Sequence, residues 1–183
     1  SSACTAAACT FHSPSFAATA SSSAVASGQP AVSYYDATNQ DLKVAHCTDA
    51  ACSNATLATL DSAGNIGMST SITIGGDGLG LISYYDYTNH DLKVAHCWDT
   101  TCSAATLTTL DNFHNVSPDT SITIGADGLG LISYHGSGTQ LKVAHCSNTT
   151  CSAATLTILD PSGDFGGYTS ITIGADGLGL ISY

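Results

Sequence analysis

The sequence predicts an all-β protein made of four-stranded antiparallel blades, the repeating unit of a β-propeller. Three observations lead to this class: a segment recurs about every fifty residues, the composition favours strands and turns, and each copy carries a pair of cysteines. A period of this length is typical of propellers or helical arrays, and Thr, Val, Ile and Tyr between Gly-containing turns favour strands. Helices are disfavoured because Glu and Arg, which suit helix surfaces, are absent from the chain.

The repeat is visible as two runs that return along the chain. The run Asp-Leu-Lys-Val-Ala-His-Cys stands at 41–47 and 91–97, and with Gln in place of Asp at 140–146. The longer run Ser-Ile-Thr-Ile-Gly-x-Asp-Gly-Leu-Gly-Leu-Ile-Ser-Tyr stands at 71–84, 121–134 and 170–183. Each copy is therefore expected to fold in the same way.

Four strands, A to D, are predicted in each copy, and the second copy shows them in order. The Gly-x-Asp-Gly segment between A and B is a tight turn, because Asp and Gly tolerate positive φ. A polar loop separates B from C, and a four-residue turn separates C from D. The predicted strands of this copy are 71–74, 79–85, 92–97 and 106–110.

The chain is expected to form one domain, residues 1–183, with three full repeats and a complementary half-blade at each end. The predicted units are 1–16 (a leading remnant), 17–66, 67–116, 117–166 and 167–183 (a trailing A–B half-blade). The two half-blades are expected to be completed between chains, giving a homo-oligomer, which is a filament if the contact does not close; a single closed ring is the alternative. Without an initiator Met or a signal-peptide pattern, the chain is interpreted as a processed product or an excised fragment.

Eight cysteines form four Cys-x4-Cys pairs, which predict disulfides. The pairs are Cys4/Cys9, Cys47/Cys52, Cys97/Cys102 and Cys146/Cys151. Cysteines that face each other across a short turn between antiparallel strands lie within disulfide range. Zinc is the alternative, but His46 and Cys47 are adjacent on a strand and point to opposite faces. Regular disulfides indicate an oxidising, extracellular location, either secreted or at the cell surface.

The charge of the chain excludes two classes of partner. All 14 acidic residues are Asp, all 3 basic residues are Lys, and the formal net charge is -11. Three Lys cannot supply the basic cluster that binds nucleic acid or anionic membrane surfaces. No apolar run is long enough for membrane insertion.

Several repeated polar residues are more easily explained by structure than by chemistry. His46, His96 and His145 occupy one repeat position, and hydrogen bonding between blades is preferred there over a ring of ligands or bases. Lys43 and Lys93 are expected to pair with Asp41 and Asp91, two residues earlier on the same strand face. Turn formation is preferred over calcium binding for the repeated aspartates Asp77, Asp127 and Asp176.

Tyrosines and aspartates at the end of strand B are the candidate ligand-binding residues. They are Tyr35 and Asp36 in the first copy and Tyr85 and Asp86 in the second. Tyrosine rings at a rim stack on sugar rings, and packing between blades is the alternative. The glycosylation tripeptides at Asn54, Asn115 and Asn148 are left open, because such patterns arise by chance in chains rich in Ser and Thr.

The runs that begin at Ser71 and Asp91 resemble repeats of secreted bacterial β-propeller proteins distantly related to the sialidase-like group. The resemblance covers about residues 20–183 and implies a propeller-type blade and an extracellular location. Sialidases use an arginine triad and a Tyr–Glu pair. Since this chain has neither Arg nor Glu, no catalytic residue is carried over.

The sequence favours a non-catalytic, self-assembling structural protein, such as a filament or surface-layer subunit, with no cofactor, no metal and no enzymatic activity. The alternative is a carbohydrate-binding, lectin-like propeller module with a glycan as its partner. An Asp-only glycoside hydrolase is disfavoured, because every prominent Asp is accounted for by a turn or loop.

Overall fold

The fold is described from a computed structural model, for residues 18–26, 28–113, 116–136, 140–161 and 168–183. Across these ranges all regular structure is β-strand, and no helix is long and apolar enough to cross a membrane. The strands are β1 Ala18–Ala26, β2 Gln29–Asp36, β3 Asp41–Cys47, β4 Ala55–Asp61, β5 Ile66–Ile74, β6 Gly80–Asp86, β7 Asp91–Cys97, β8 Ala105–Asp111, β9 Thr120–Ile124, β10 Gly130–His135, β11 Leu141–Cys146, β12 Ala154–Asp160, β13 Ser170–Ile173 and β14 Gly179–Ser182.

The strands form three antiparallel sheets of four and one antiparallel pair. The sheet orders are β1-β2-β3-β4, β5-β6-β7-β8, β9-β10-β11-β12 and β13-β14. We call them blades 1 to 3 and the β13–β14 pair. The predicted fold class is confirmed: an all-β chain of four-stranded antiparallel blades. The expected half-blade at 1–16, with Cys4 and Cys9, lies outside the described residues.

The first strand of each blade is the innermost. Strands β1, β5, β9 and β13 contact one another in sequence. Serine hydroxyls join them: Ser71 Oγ accepts a hydrogen bond from the Ile122 amide, and Ser121 Oγ accepts one from the Ile171 amide, both at 3.2 Å. The blades are therefore arranged around a common axis, with β4, β8 and β12 outermost.

Apolar side chains pack between neighbouring blades and form the core. One cluster joins Leu81 and Leu92 of blade 2 to Ile122 and Ile132 of blade 3. Burial of each such side chain stabilises the fold by about 1.5–3 kcal/mol. Blades therefore depend on their neighbours for much of their apolar burial.

The glycine of the Gly-Leu-Ile-Ser segment is required by the close contact between blades. A Cβ added at Gly130 would lie 2.8 Å from Cys146 Sγ and 2.9 Å from Leu81 Cδ2. Neither atom has room to move within packed strands. The repeated glycine at this position therefore sets the spacing of blade 2 against blade 3.

Three of the predicted disulfides are confirmed: Cys47–Cys52, Cys97–Cys102 and Cys146–Cys151, with Cα–Cα distances of 4.8, 4.8 and 4.9 Å. Their geometry differs from two opposed strand residues in one respect. Cys47 lies opposite Ala55 in the sheet, whereas Cys52 lies inside the turn with φ of 52°. Each disulfide therefore closes the C–D turn upon itself.

The blades have two different ends. The A–B turns and the disulfide-bonded C–D turns lie at one end, which we call the disulfide face. The B–C loops and the crossovers from one blade to the next lie at the other end, which we call the loop face. Both definitions follow from the antiparallel strand order.

Candidate functional site

Buried aspartates at the loop face connect neighbouring blades. Asp61, the last residue of β4 in blade 1, accepts hydrogen bonds from the Tyr84 hydroxyl at 2.9 Å and the Lys93 ammonium at 2.6 Å. Both donors belong to blade 2. We call this arrangement an inter-blade clamp.

The next junction repeats the clamp. Asp111 accepts hydrogen bonds from the Tyr134 hydroxyl at 2.8 Å and from the Lys142 ammonium. Burial by itself would raise the pKa of Asp111, but hydrogen bonds from Lys142 and Tyr134 outweigh it and the pKa is lowered. Burial also raises the pKa of Tyr134 far above its ordinary value.

The clamps correct the predicted lysine pairs. Lys93 forms an ion pair with Asp61 of the preceding blade, whereas Asp91 of its own strand was expected. Lys43 forms an ion pair with Asp36 at 3.2 Å, whereas Asp41 was expected. Asp36 belongs to the same blade as Lys43. Sequence analysis missed this because it considered partners on one strand only.

The candidate tyrosines Tyr35 and Tyr85 are buried, with only 5% and 2% of their surfaces exposed. The Tyr35 hydroxyl donates to Asn65 Oδ1 at 2.7 Å, and the Tyr85 hydroxyl lies 2.5 Å from His90 Nδ1. These contacts hold the loops in place and leave little ring surface for a ligand. Binding of a ligand by either tyrosine stays a prediction.

The candidate aspartates Asp36 and Asp86 cap the B–C loops. Asp36 accepts hydrogen bonds from the Thr38 amide at 3.0 Å and from Asn39 Nδ2 at 2.9 Å. The Asn39 side chain is the main cause of the lowered pKa of Asp36. Asp86 accepts the matching bonds from Asn89. Their role as ligand contacts likewise stays a prediction.

Exposed aromatic rings occur at the loop face where the copies differ from one another. Tyr87 is 49% exposed and stands where the first copy has Ala37. Its ring contacts Tyr85 edge-on, with centroids 6.2 Å apart, and lies 5.6 Å from the His90 ring. Tyr87 is therefore a supported, partly open aromatic surface. Sequence analysis missed it, although the departure from the repeat marks it.

A second group of departures surrounds the axis. A hydroxyl pair recurs near the loop-face end of the innermost strands, buried in the first two copies and partly buried in the third: Thr70 with Ser33, Thr120 with Ser83, and Thr169 with Ser133, at 2.9, 2.7 and 2.8 Å. The residue immediately before each threonine is Ser69, Asp119 and Tyr168, respectively. We call these three residues the axial mouth.

The axial mouth combines three different side chains at one repeat position. Thr120 donates a hydrogen bond to the Ser69 carbonyl oxygen at 3.0 Å, which places Asp119 next to Ser69. In blade 2 this position lies at a β-bulge between Met68 and Ser71, and bulges redirect side chains. Tyr168 is 83% exposed. An open aromatic ring and a carboxyl group therefore stand just before two adjacent innermost strands, Tyr168 before β13 and Asp119 before β9.

The Asp119 carboxyl differs from the other aspartates of the loop face. Burial raises its pKa to about 6, and no donor among the described residues forms a hydrogen bond with it. The clamp and loop aspartates instead accept several bonds each. Asp119 therefore exchanges its proton near pH 6, and its carboxyl can donate to a ligand when protonated or accept from it when ionised.

The histidines and turn aspartates meet at the disulfide face. His96 Nε2 lies 2.7 Å from Asp77 Oδ2, and His145 Nε2 lies 2.7 Å from Asp127 Oδ2. Asp77 Oδ1 also accepts the Leu79 amide at 3.0 Å and so closes the A–B turn, as expected. The pairing lies within one blade, whereas the histidines were expected to bond between blades. His46 has no such partner residue, because its turn carries Gln29 and Pro30.

The structure also bears on the metal site and the glycosylation tripeptides that were considered from the sequence. In the part of the chain that the structure describes, no group of three His, Cys or Asp side chains is arranged to hold a metal ion. Asn54 and Asn148 lie exposed in C–D turns, and Asn115 lies outside the described residues.

Comparisons with known proteins identify the fold but no family. No protein-family model matches the sequence, and no curated protein matches it either. Solved structures do match. A triple arginine-to-alanine mutant of AofleA from Arthrobotrys oligospora is similar with a TM-score of 0.60 and 15% identity, over 85% of this chain and 46% of that one.

Two glycoside hydrolases are also similar in structure. A thermostable family-43 glycoside hydrolase matches with a TM-score of 0.54 and 16% identity, over 88% of this chain and 61% of that one. An alpha-L-arabinofuranosidase from Lactobacillus brevis matches with a TM-score of 0.51 and 13% identity, over 78% and 54%. The chain thus spans about half the length of the solved structures that it matches. At these identities the likeness shows the fold alone.

These similarities correct the expectation that the protein lacks enzymatic activity. That expectation depended on the absence of a sialidase-type catalytic set. The similar structures include family-43 glycoside hydrolases, so the expectation that the chain is not an enzyme is withdrawn. The propeller part of the expected resemblance agrees with them, and the sialidase-like part is not supported.

Proposed function

We propose that this chain is a carbohydrate-binding β-propeller whose principal site is the axial mouth at the loop face. The observation that carries the proposal is the departure from the repeat at this position, which combines the exposed ring of Tyr168 with the partly buried carboxyl of Asp119. The structural likeness to glycoside hydrolases supports the same class of ligand.

The chemistry of these residues suits a sugar. An aromatic ring packs against the apolar C–H face of a pyranose or furanose ring, and a carboxyl group with neighbouring backbone oxygens bonds to its hydroxyls. All three lysines are held by aspartates, two of them in clamps, and none faces an anionic ligand. A neutral sugar is therefore favoured over an acidic one.

Affinity electrophoresis on neutral polysaccharides, including arabinan and galactan, tests this proposal. The unmodified chain is expected to be retarded in at least one gel, and Tyr168→Ala to weaken retardation about tenfold or more. Phe113→Ala is the matched control, because Phe113 is an exposed aromatic residue of the same face at the outer end of blade 2. Equal retardation of the unmodified chain and Tyr168→Ala contradicts the proposed site.

One observation favours a second candidate, glycoside hydrolysis. A carboxyl with a pKa of about 6 is suited to donate a proton to a departing glycosidic oxygen, while a water molecule forms the new bond to the anomeric carbon and its proton restores the carboxyl. Release of reducing sugar from arabinan tests this, with Asp119→Asn expected to lower the rate at least 100-fold. Unchanged turnover by Asp119→Asn contradicts a role for this carboxyl in the reaction.

Self-association through completed half-blades stays a separate proposal with less support. Two of the similar solved structures are glycoside hydrolases, which supports a carbohydrate ligand and gives no support to self-association. Light scattering over a concentration series tests it, and a constant monomer mass contradicts it.

A further inference from the structure

A tryptophan at the disulfide face has no structural role that accounts for its exposure. Trp98 is 67% exposed and is the only Trp of the chain. It follows Cys97 directly, where the first copy has Thr48 and the third has Ser147. Those copies close the same C–D turn with small polar residues, so the turn does not require an aromatic side chain.

The indole is held in place in spite of its exposure. Its Nε1 donates a hydrogen bond to Thr106 Oγ1 at 2.9 Å, and its backbone amide donates to the Ala104 carbonyl at 3.0 Å. The Cys97–Cys102 disulfide closes the turn beside it. A large apolar ring is thus fixed at its polar edge while most of its surface faces solvent, which lowers the entropy lost when a ligand packs against it.

The C–D turn that follows Trp98 is also held by hydrogen bonds. Asp99 Oδ1 accepts the amides of Thr101 and Ser103 at 2.9 and 3.2 Å, and the hydroxyls of both residues also donate to its carboxylate. Hydrogen bonds from Ser103 and then Thr101 lower the pKa of Asp99 to about 2. Its charge is therefore permanent at neutral pH.

The charges around Trp98 select the class of ligand. The three lysines of the chain lie near the loop-face ends of their strands, whereas Asp77 and Asp99 lie at the disulfide face. An anionic ligand is repelled there. Cationic ligands are favoured by a cage of several aromatic rings, and among the described residues Trp98 offers a single ring. A neutral sugar ring needs only the open face of the indole and nearby hydroxyl groups.

From this geometry we propose that Trp98 is the stacking platform of a second carbohydrate subsite, on the disulfide face and separate from the axial mouth. It binds a neutral sugar ring against the exposed face of the indole. Two subsites on opposite faces of one chain allow it to contact two glycan strands, which raises its avidity for an insoluble polysaccharide.

Intrinsic fluorescence tests this inference, because all tryptophan emission comes from Trp98. The intact, oxidised chain is titrated with neutral arabino-, galacto-, xylo- and cello-oligosaccharides. At least one is expected to shift the emission to shorter wavelength, saturably, and to protect the indole from acrylamide quenching. An oligogalacturonate probe is expected to have no effect.

The variants separate this subsite from the axial mouth. Trp98→Thr introduces the residue that the first copy has at this position, so the variant is expected to fold normally. Its affinity for the oligosaccharide that shifts the emission, measured by calorimetry, is expected to be about tenfold lower. Tyr168→Ala is expected to leave the fluorescence response unchanged. If calorimetry detects binding that Tyr168→Ala abolishes while the emission never responds, the Trp98 subsite is contradicted and the axial mouth stands. Silence in both measurements contradicts both proposals.

Discussion

At the scale of single residues, the inter-blade clamps explain where the few charges of this chain are used. Asp111 is almost fully buried and receives an ammonium and a phenol hydroxyl from the next blade. Removal of one partner from such a buried group leaves the others without compensation. Two of the three lysines and their aspartate partners therefore stabilise the junctions between blades.

Asp111→Ala is expected to lower the free energy of unfolding by about 3 kcal/mol, because Lys142 and Tyr134 lose their shared acceptor. Urea denaturation at pH 7 measures the change. His145→Ala is the control, since it breaks only the exposed His145–Asp127 pair and leaves the turn contact of Asp127 with the Leu129 amide intact. A loss for Asp111→Ala as small as that of the control would show that the clamp is not stabilising.

The lowered pKa values of Asp36 and Asp111 predict acid sensitivity. A carboxyl whose folded pKa is lowered stabilises the fold above its unfolded pKa, and this stabilisation is lost as the pH falls through the folded value. Stability is therefore expected to fall below pH 3.8, the ordinary value of these groups. Thermal unfolding between pH 2 and pH 6 measures it, and a melting temperature that rises on acidification would contradict it.

Asp119 is expected to have the opposite effect. Burial raises its folded pKa to about 6 from 3.8, so the folded state binds the proton more tightly and stability declines as the pH rises between these values. Because the group is partly exposed, Asp119→Asn is expected to stabilise the chain by only about 1 kcal/mol at pH 8 and by nothing near pH 4. Urea denaturation at the two pH values measures it. An equal gain in stability at pH 8 and pH 4 would contradict the raised pKa of Asp119.

A stabilising Asp119→Asn variant that also loses ligand binding would show a functional residue kept at a cost in stability, which is common in binding sites. Retained binding with the same gain in stability would instead mean that the carboxyl does not contact the ligand.

At the scale of strands and turns, most of each blade follows from the sequence. Strand-favouring residues between Asp-Gly turns predicted four strands per copy, and those of blade 2 begin and end close to the predicted positions, apart from the start of β5. Strand β5 begins at Ile66, five residues earlier than predicted, because two register shifts interrupt the alternation that reveals a strand. The axial mouth was missed for the same reason, since one of its residues occupies that bulge.

Closure of the C–D turn is a contribution of each disulfide. A ring of six residues stabilises the fold by about 2 kcal/mol in the chain-entropy model. The double substitution of Cys97 and Cys102 by Ser is expected to cost that amount in urea denaturation. A full loss of the fold would show that the turn is needed for folding itself.

The contact between blades gives a prediction at Gly130. Gly130→Ala places a methyl group within 3 Å of Cys146 and Leu81, and overpacking of this kind costs about 1–3 kcal/mol. Thermal unfolding measures the change. Ala126→Gly, an exposed change in the adjacent turn, is the control, and equal effects would contradict the tight contact.

At the scale of the whole molecule, the repeat explains the fold, and departures from the repeat indicate the function. Sequence analysis gave most weight to the repeated residues, and the structure shows that the repeated Asp, Lys, His and Tyr residues mostly bond to one another. The residues left open to ligands are those that one copy alone possesses: Asp119, Tyr168, Tyr87 and Trp98. Pairings across blades could not be predicted, because they depend on how neighbouring sheets meet around the axis.

Amide chemical-shift mapping can show whether sugars bind at the axial mouth. The isotope-labelled chain is titrated with the oligosaccharide that binds most tightly, and perturbed amides are assigned. The largest shifts are expected at Ser69, Asp119 and Tyr168, and they are expected to disappear in Tyr168→Ala. Shifts confined to the outer strands β4 and β8, or none at saturating oligosaccharide, would contradict binding at the axial mouth.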